Sequence, residues 1–309
     1  MPLGTAHQTV TTADKFIPQI WSDEVVATYK RNLVLANLIK KLNMSGKKGD
    51  TLNIPRPYAS GRPNATAKAA STQVTLITDT ALDVQVALNL HFEYSILIED
   101  IVETQALTSM RQFYTDDAGY ALARQIDTSL IQLGRVFQGG TNTAAYTGAF
   151  IGSNGTTAYV AGTNNEAALT DTAIRRSIQR LDDNDVPMDG RFLLVPPSTR
   201  NTLMGIARFT EQAFVGEQGG SNTIRNGEVG NVYGVPVFVS SNADTTSGTT
   251  LARICLLGHR DSAVLCMQKE VRTQTQYKQE YLGSLFTADV IYGVAELRDY
   301  SAVALAVPA

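Results

Sequence analysis

The chain has 309 residues, 43% of them hydrophobic and 18% charged, and a formal net charge of -3 at pH 7. That length can bury a sizeable core as one large domain or two smaller ones, and the near-neutral balance gives no overall attraction for nucleic acid or an anionic membrane. No 18 apolar residues run together and no charged region followed by an apolar one opens the chain, so neither export nor membrane insertion is expected. Charge is uneven, however. Residues 1–70 carry ten Lys or Arg against four Asp or Glu, a net of +6, and the remainder carries sixteen against twenty-five, a net of -9. A basic end and an acidic body suit docking between copies, with Asp116 and Asp117, or Asp182, Asp183 and Asp185, as the acidic face. A polyanion is the other partner such a segment could meet.

Residues 1–20 are polar and irregular until Phe16, Ile17 and Ile20, and read as an arm. Ser22 followed by Asp23 and Glu24 opens a helix, with acids at the positive end of its dipole, expected to run to about Leu42 with Lys40 and Lys41 near its end. Asp50 to Arg56 alternates as a short strand. The stretch from Tyr58 to Asp79 is rich in Ala, Ser, Thr, Gly and Pro, carries Arg62 and Lys68, and reads as the tip of an extended two-stranded loop.

From Leu82 to Ile98 apolar residues alternate with mostly polar ones, which predicts one strand roughly 55 Å long at about 3.3 Å per residue. Asp100, with Glu103 three residues on, predicts a capped helix start. Leu107, Met110, Tyr114, Ala118, Leu122, Ile126, Leu130, Leu133 and Phe137 then recur at spacings of three and four, a helix also about 55 Å long if unbroken. A compact chain of this size is only about 50 Å across. Two such struts leave apolar surface that another copy is best placed to cover.

Gly139 to Asn165 predicts a turn-rich connector, and Thr170 with Asp171 starts a helix carrying Ile174, Ile178 and Leu181. Phe192 to Val195 is a short apolar strand, Ser198 is expected to cap a helix with Leu203 and Met204, and Gly227 to Ser241 reads as a turn feeding a buried strand. Leu251 to Leu257, Ser262 to Met267, Val271 to Tyr281 and Tyr292 to Val307 complete a mostly β ending. Irregular interleaving of helices and strands argues for an α+β fold.

Residues for chemistry do not converge. His7, His91 and His259 are scattered, no HExxH occurs, and His91 falls on the polar side of its strand. Ser45-Gly46-Lys47 lacks the upstream Gly and the following Ser or Thr of a phosphate loop. Gly227, Gly230 and Gly234 precede a strand rather than opening a helix. Asp182, Asp183, Asp185 and Asp189 lack the Gly and closing Glu of a calcium loop and read as a solvated helix end. Cys255 and Cys266, without a CxxC spacing, read as free thiols of a reducing cytosol. No catalytic, cofactor or metal site is expected.

Five phrases in order resemble the major capsid proteins of tailed bacteriophages: Ile20-Trp21-Ser22, Gly49-Asp50-Thr51-Leu52-Asn53-Ile54-Pro55, Asn184-Asp185-Val186-Pro187 with Gly190-Arg191, Gly230-Asn231-Val232-Tyr233-Gly234-Val235-Pro236-Val237, and Tyr292-Gly293-Val294-Ala295-Glu296-Leu297-Arg298. The resemblance implies an N-terminal arm and first helix over 1–45, an extended loop with its return strand over 46–98, and a spine helix with part of a peripheral domain over 99–189. An axial domain would cover 190–250, and the remaining axial and peripheral strands 251–309. It implies hexamers and pentamers closing into an icosahedral head around double-stranded DNA, a separate scaffolding protein, a portal, and in some members a decoration protein. The virion is the implied location and the host cytoplasm the site of synthesis. Arg56, Arg62, Lys68, Asp116 and Asp117 are the residues expected at contacts between subunits, and Lys68 is a conceivable cross-linking lysine. Encapsulin shells share this fold and enclose cargo enzymes; an α+β enzyme without a recognisable motif is the remaining alternative.

Overall fold

A computed structural model of the chain describes residues 34–56, 65–74, 76, 82–105, 110–163, 165–206, 230–247 and 251–309. The expected arm, the helix start at Ser22, His7, Arg62 and Gly227 fall outside the described residues. From Leu35 the chain makes one turn of helix, α1 (Leu35–Leu38), and then a strand, β1 (Lys40–Asn43). The helix expected to reach Leu42 therefore stops at Leu38: Ile39 is already extended, and Lys40 and Lys41 lie in a strand running parallel to Val264–Met267. A partner so distant in sequence overrides the local preference for helix.

β2 (Thr51–Arg56) and β3 (Leu82–Ala87) pair antiparallel as a two-stranded ribbon, with Arg56 opposite Leu82. The single long strand expected from Leu82 to Ile98 is two: β3 ends at Ala87, and β4 (Leu90–Glu99) belongs to another sheet. Alternation cannot register this break, because the apolar phase continues through Leu88 and Leu90. α2 (Asp100–Gln105) and α3 (Met110–Gln132) follow, and a 3-10 turn at Leu133–Arg135 ends the helical run; residues 106–109 lie outside the described residues. Asp100 is the first residue of α2, and its carboxylate accepts the Tyr277 hydroxyl at 2.7 Å.

Among its described residues the turn-rich connector contributes only β5 (Phe150–Ile151). α4 (Asp171–Asp183) is capped as expected, the Thr170 hydroxyl accepting the Ala173 N–H at 3.3 Å. After β6 (Arg191–Val195) comes α5 (Pro197–Met204), whose cap position is Pro196; Ser198 lies inside the first turn and makes no cap. β7 (Asn231–Val232), β8 (Val235–Val239) and β9 (Ala252–His259) lead to β10 (Ala263–Lys278), which joins the two strands expected at Ser262 to Met267 and Val271 to Tyr281. Register shifts at Met267/Lys269 and Lys269/Arg272 carry the strand through the polar stretch between them. Conversely, the strand expected from Tyr292 to Val307 is split by a 3-10 turn at Asp299–Ser301 into β11 (Gly283–Glu296) and β12 (Ala302–Pro308).

Two sheets organise these strands among the described residues, besides the ribbon. One has the order β1-β10-β11-β4, the other β5-β12-β9-β6-β8-β7. α3 lays Leu122, Ile126 and Leu130 against Phe286, Ala288 and Val290 of the first sheet. α4 and α5 lay Ile174, Leu181 and Leu203 against Val195, Leu257 and Leu305 of the second. Ala302 to Val307 is continuously apolar because it is buried throughout, with neighbours on both edges. Each such Leu or Val contributes about 1.5–3 kcal/mol by leaving water. The segment 190–250 supplies β6, β7 and β8 to the second sheet, whose other strands come from 150–151, 252–259 and 302–308.

One buried carboxylate ties three segments together. Asp127 on α3 is fully buried; it accepts the Leu35 N–H at 2.9 Å, capping α1 from across the core, and the Asn242 side-chain amide at 3.1 Å. Burial raises its pKa, against those hydrogen bonds. Asp127→Ala leaves both donors without this acceptor and is expected to cost about 2–3 kcal/mol in denaturant unfolding. A loss under about 0.5 kcal/mol refutes the cap.

Candidate subunit-contact surfaces

The ribbon is rooted by Leu52, Ile54, Val86 and Leu88 against Met44, Val264 and Cys266. Residues 65–74 and 76 are all exposed, with Val74 at 68% and Leu76 at 89%. Apolar side chains exposed in this way forgo the stabilisation that contact would give. Lys68 is exposed in this segment and Arg56 is half-buried at its root. Asp116 is exposed and Asp117 half-buried on the N-terminal half of α3. Of the described residues expected at contacts, Arg56 and Lys68 thus lie on the ribbon side and Asp116 and Asp117 on α3.

A second exposed region escaped sequence reading. At the far end of the four-stranded sheet Tyr281 (62% exposed) and Leu282 (66%) form the turn after β10, and Ile101 (60%) lies in the first turn of α2. They are neighbours because the Asp100 N–H donates to the Leu282 carbonyl at 3.0 Å and Tyr277 donates to the Asp100 carboxylate. Tyr281-Leu282 inside an otherwise polar run was the available signal; its proximity to Ile101 is purely tertiary. On the outer face of this sheet Asp289 accepts Arg272 at 2.6 Å and lies 3.4 Å from His91. The guanidinium of Arg272, chiefly, holds the Asp289 carboxyl below its usual range. His91 is on the polar face, as alternation says.

The other singled-out residues have structural employment. His259 is buried; its Nδ1 accepts the Asp261 N–H at 3.1 Å, so its Nε2–H donates to the Asp189 carbonyl at 2.8 Å. Asp182 is engaged within its own chain by buried Arg191, whose Nη2 donates to it and to the Val186 carbonyl at 2.6 Å, while Nε donates to the Pro187 carbonyl at 2.9 Å. This Arg holds the turn after α4, which is why Asn184-Asp185-Val186-Pro187 and Gly190-Arg191 occur together. Cys255 and Cys266 are free and buried, the Cys255 thiol pushed up to about 12 by burial. Among the described residues no group of three His, Cys, Asp or Glu is placed to hold a metal, and no helix is long and apolar enough to cross a membrane.

Two sheets bridged by a long helix, a ribbon with an uncovered apolar tip, and polar groups spent on internal turns define a structural subunit of a larger assembly. Residues 92–305 match the model of the family described as phage capsid protein, and the chain belongs to that family. It is a structural protein of the phage head rather than an enzyme, and the resemblance carried by its sequence phrases is borne out. No curated protein matches the chain in sequence. Among solved structures it is similar to one from Mycobacterium phage Che8, at 21% identity and a TM-score of 0.73 over 94% of this chain and 97% of that one. The capsid of cyanophage P-SCSP1u gives 17% identity and a TM-score of 0.74 over 99% and 96%. The capsid of a native GTA particle gives 10% and 0.65 over 98% and 100%. At such identities the likeness is one of fold.

Proposed function

We propose that this chain is the repeating unit of an icosahedral head, assembling as hexamers and pentamers around double-stranded DNA that it encloses without reading its sequence. The observation that carries this is the exposure of Val74 and Leu76, which stand among described residues 65–74 and 76 that are all exposed. A neighbour supplies that cover, with Arg56, Arg62 and Lys68 of the loop facing Asp116 and Asp117 on the adjacent spine helix. In this reading 1–45 is the arm with the first helix, 46–98 the loop, 99–189 the spine and part of the peripheral domain, 190–250 the axial domain, and 251–309 the remaining strands. A separate scaffolding protein and a portal act during assembly in the host cytoplasm, and a decoration protein is an optional addition. The purified chain, alone or with its scaffolding protein, is expected to give closed shells of uniform diameter by negative-stain microscopy. Monomers under both conditions overturn the reading.

A further inference from the structure

The turn that follows β5 contains one of the two Asn-Gly dipeptides of the chain, Asn154-Gly155; the other is Asn226-Gly227. In such a pair the peptide nitrogen of the glycine can attack the carbonyl carbon of the Asn side chain, because no Cβ on the second residue hinders the approach. A C–N bond closes a succinimide ring, and the side-chain amide leaves as ammonia with the proton that the glycine nitrogen gives up. Water then opens the ring to Asp or to isoaspartate. The conversion needs no enzyme and no co-reactant except water.

The fold demands both residues. Gly155 has φ of +63°, and a Cβ there would stand 2.9 Å from the Ala173 carbonyl oxygen in α4, so the backbone itself excludes a side chain. The Asn154 Oδ1 accepts the N–H groups of Thr156 at 2.9 Å and Thr157 at 3.0 Å, and its Nδ2 donates to the Thr157 hydroxyl at 2.9 Å. This turn also joins two larger parts. The Gly152 N–H donates to the Ala306 carbonyl of β12 at 2.9 Å, while the Ser153 carbonyl accepts the hydroxyl of Thr170, the cap of α4.

We propose that Asn154-Gly155 is a deamidation site that the folded subunit keeps closed, and that release of this turn from α4 opens it. Ring closure must break the hydrogen bond from the Gly155 N–H to the Ile151 carbonyl, 3.0 Å long, and must expel the amide that Thr157 holds. The other end of the Gly155 peptide is fixed as well. Arg180 of α4 donates to the Gly155 carbonyl from Nη2 at 3.3 Å and Nε at 3.4 Å, and its guanidinium lies 3.8 Å from the centre of the Phe150 ring in β5. Arg180 is thus a positioning residue, holding the attacking nitrogen where it cannot turn onto the side chain. The lesion would be structural: isoaspartate lengthens the main chain by a methylene between two residues whose neighbours are tied to β12 and α4. Because the conversion does not reverse, it accumulates with the age of the protein.

Peptide mass spectrometry on the unaltered chain tests this first, by following replacement of the Asn154 amide by a hydroxyl at mildly alkaline pH. In guanidinium chloride Asn154 and Asn226 are expected to convert at comparable rates, each being followed by glycine in an open chain. In the folded protein Asn154 is expected to convert at least about tenfold more slowly than in denaturant, since it reacts only through local opening. Equal rates in the two states overturn the proposal. Its mechanism is tested by Arg180→Gln, which frees the Gly155 carbonyl, and by Thr157→Val at an exposed position, which frees the Asn154 amide. Each is expected to raise the folded-state rate by about threefold or more and to leave the rate in denaturant unchanged. Should Arg180→Gln fail to fold, as circular dichroism would show, Thr157→Val decides. Folded variants that convert no faster than the parent overturn the role given to these contacts.

Discussion

Gly293→Ala is expected to lower the stability of the subunit by about 3 kcal/mol, with a fall in Tm of roughly 5–10 °C. At this glycine the return strand of the ribbon passes over the four-stranded sheet: a Cβ would stand 2.3 Å from the Ala87 carbonyl oxygen and 3.1 Å from a Leu88 methyl. The obstacle is backbone and cannot rotate away. Ala87 is held by pairing with Thr51, and Leu88 by its N–H to the Asp50 carbonyl at 2.7 Å, while Gly293 is fixed opposite Cys266. Relief requires lifting the ribbon, which uncovers Val86 and Leu88. Gly119→Ala is the contrasting case. It lies in α3 with nothing within 4 Å of the added methyl, and alanine there is expected to add about 0.5–1 kcal/mol through helix propensity. Paired thermal or denaturant melts check both signs, and a Gly293→Ala protein as stable as the parent refutes the tight crossing.

Deleting Tyr58 to Asp79 is expected to abolish shell formation while moving the subunit Tm by no more than about 2 °C, the shift that roughly 1 kcal/mol produces in a chain of this size. The cut leaves Pro57, Thr80 and Ala81 as a three-residue connection between Arg56 and Leu82, which already face one another in the ribbon, so a short hairpin can close. The described residues of the deleted segment are exposed and contribute little to the core, whereas Val74, Leu76 and Lys68 are lost to any neighbour. Circular dichroism melts and electron microscopy of the same preparation separate the two effects. A deletion that unfolds the subunit shows the loop to be core; one that still closes shells shows that it is dispensable for contact.

Features with a local cause were legible in the residues. α3 follows from three-and-four spacing, α4 from Thr170 as its cap, and β6 from its unbroken apolar run. What escaped had a distant cause. Lys40-Lys41-Leu42-Asn43 has nothing strand-like in it, and becomes a strand because Val264–Met267 lies alongside. The break after Ala87 leaves the alternation intact and is visible only in the glycine of the strand it crosses. The fusion of two expected strands into β10 depends on register shifts that periodicity reads as an interruption. Of the exposed apolar positions, Val74 and Leu76 stand in a stretch that reads as a loop, but the grouping of Ile101 with Tyr281 and Leu282 was not legible, because a hydrogen bond between Asp100 and the turn after β10 creates it.

The wiring of the four-stranded sheet also sets when a subunit can exist. β1 waits for residues 264–267, and β4, paired from Leu90↔Tyr292 to Glu99↔Gly283, waits for nearly the whole of β11. The second sheet has β12 between β5 and β9, so it stays open until Ala302–Pro308 has been made. Contacts of such long sequence separation pay their loop-closure entropy before any reward, which makes folding slow and late. A growing chain therefore carries α3 with its apolar face uncovered and the four-stranded sheet unfinished, dependent on protection from aggregation.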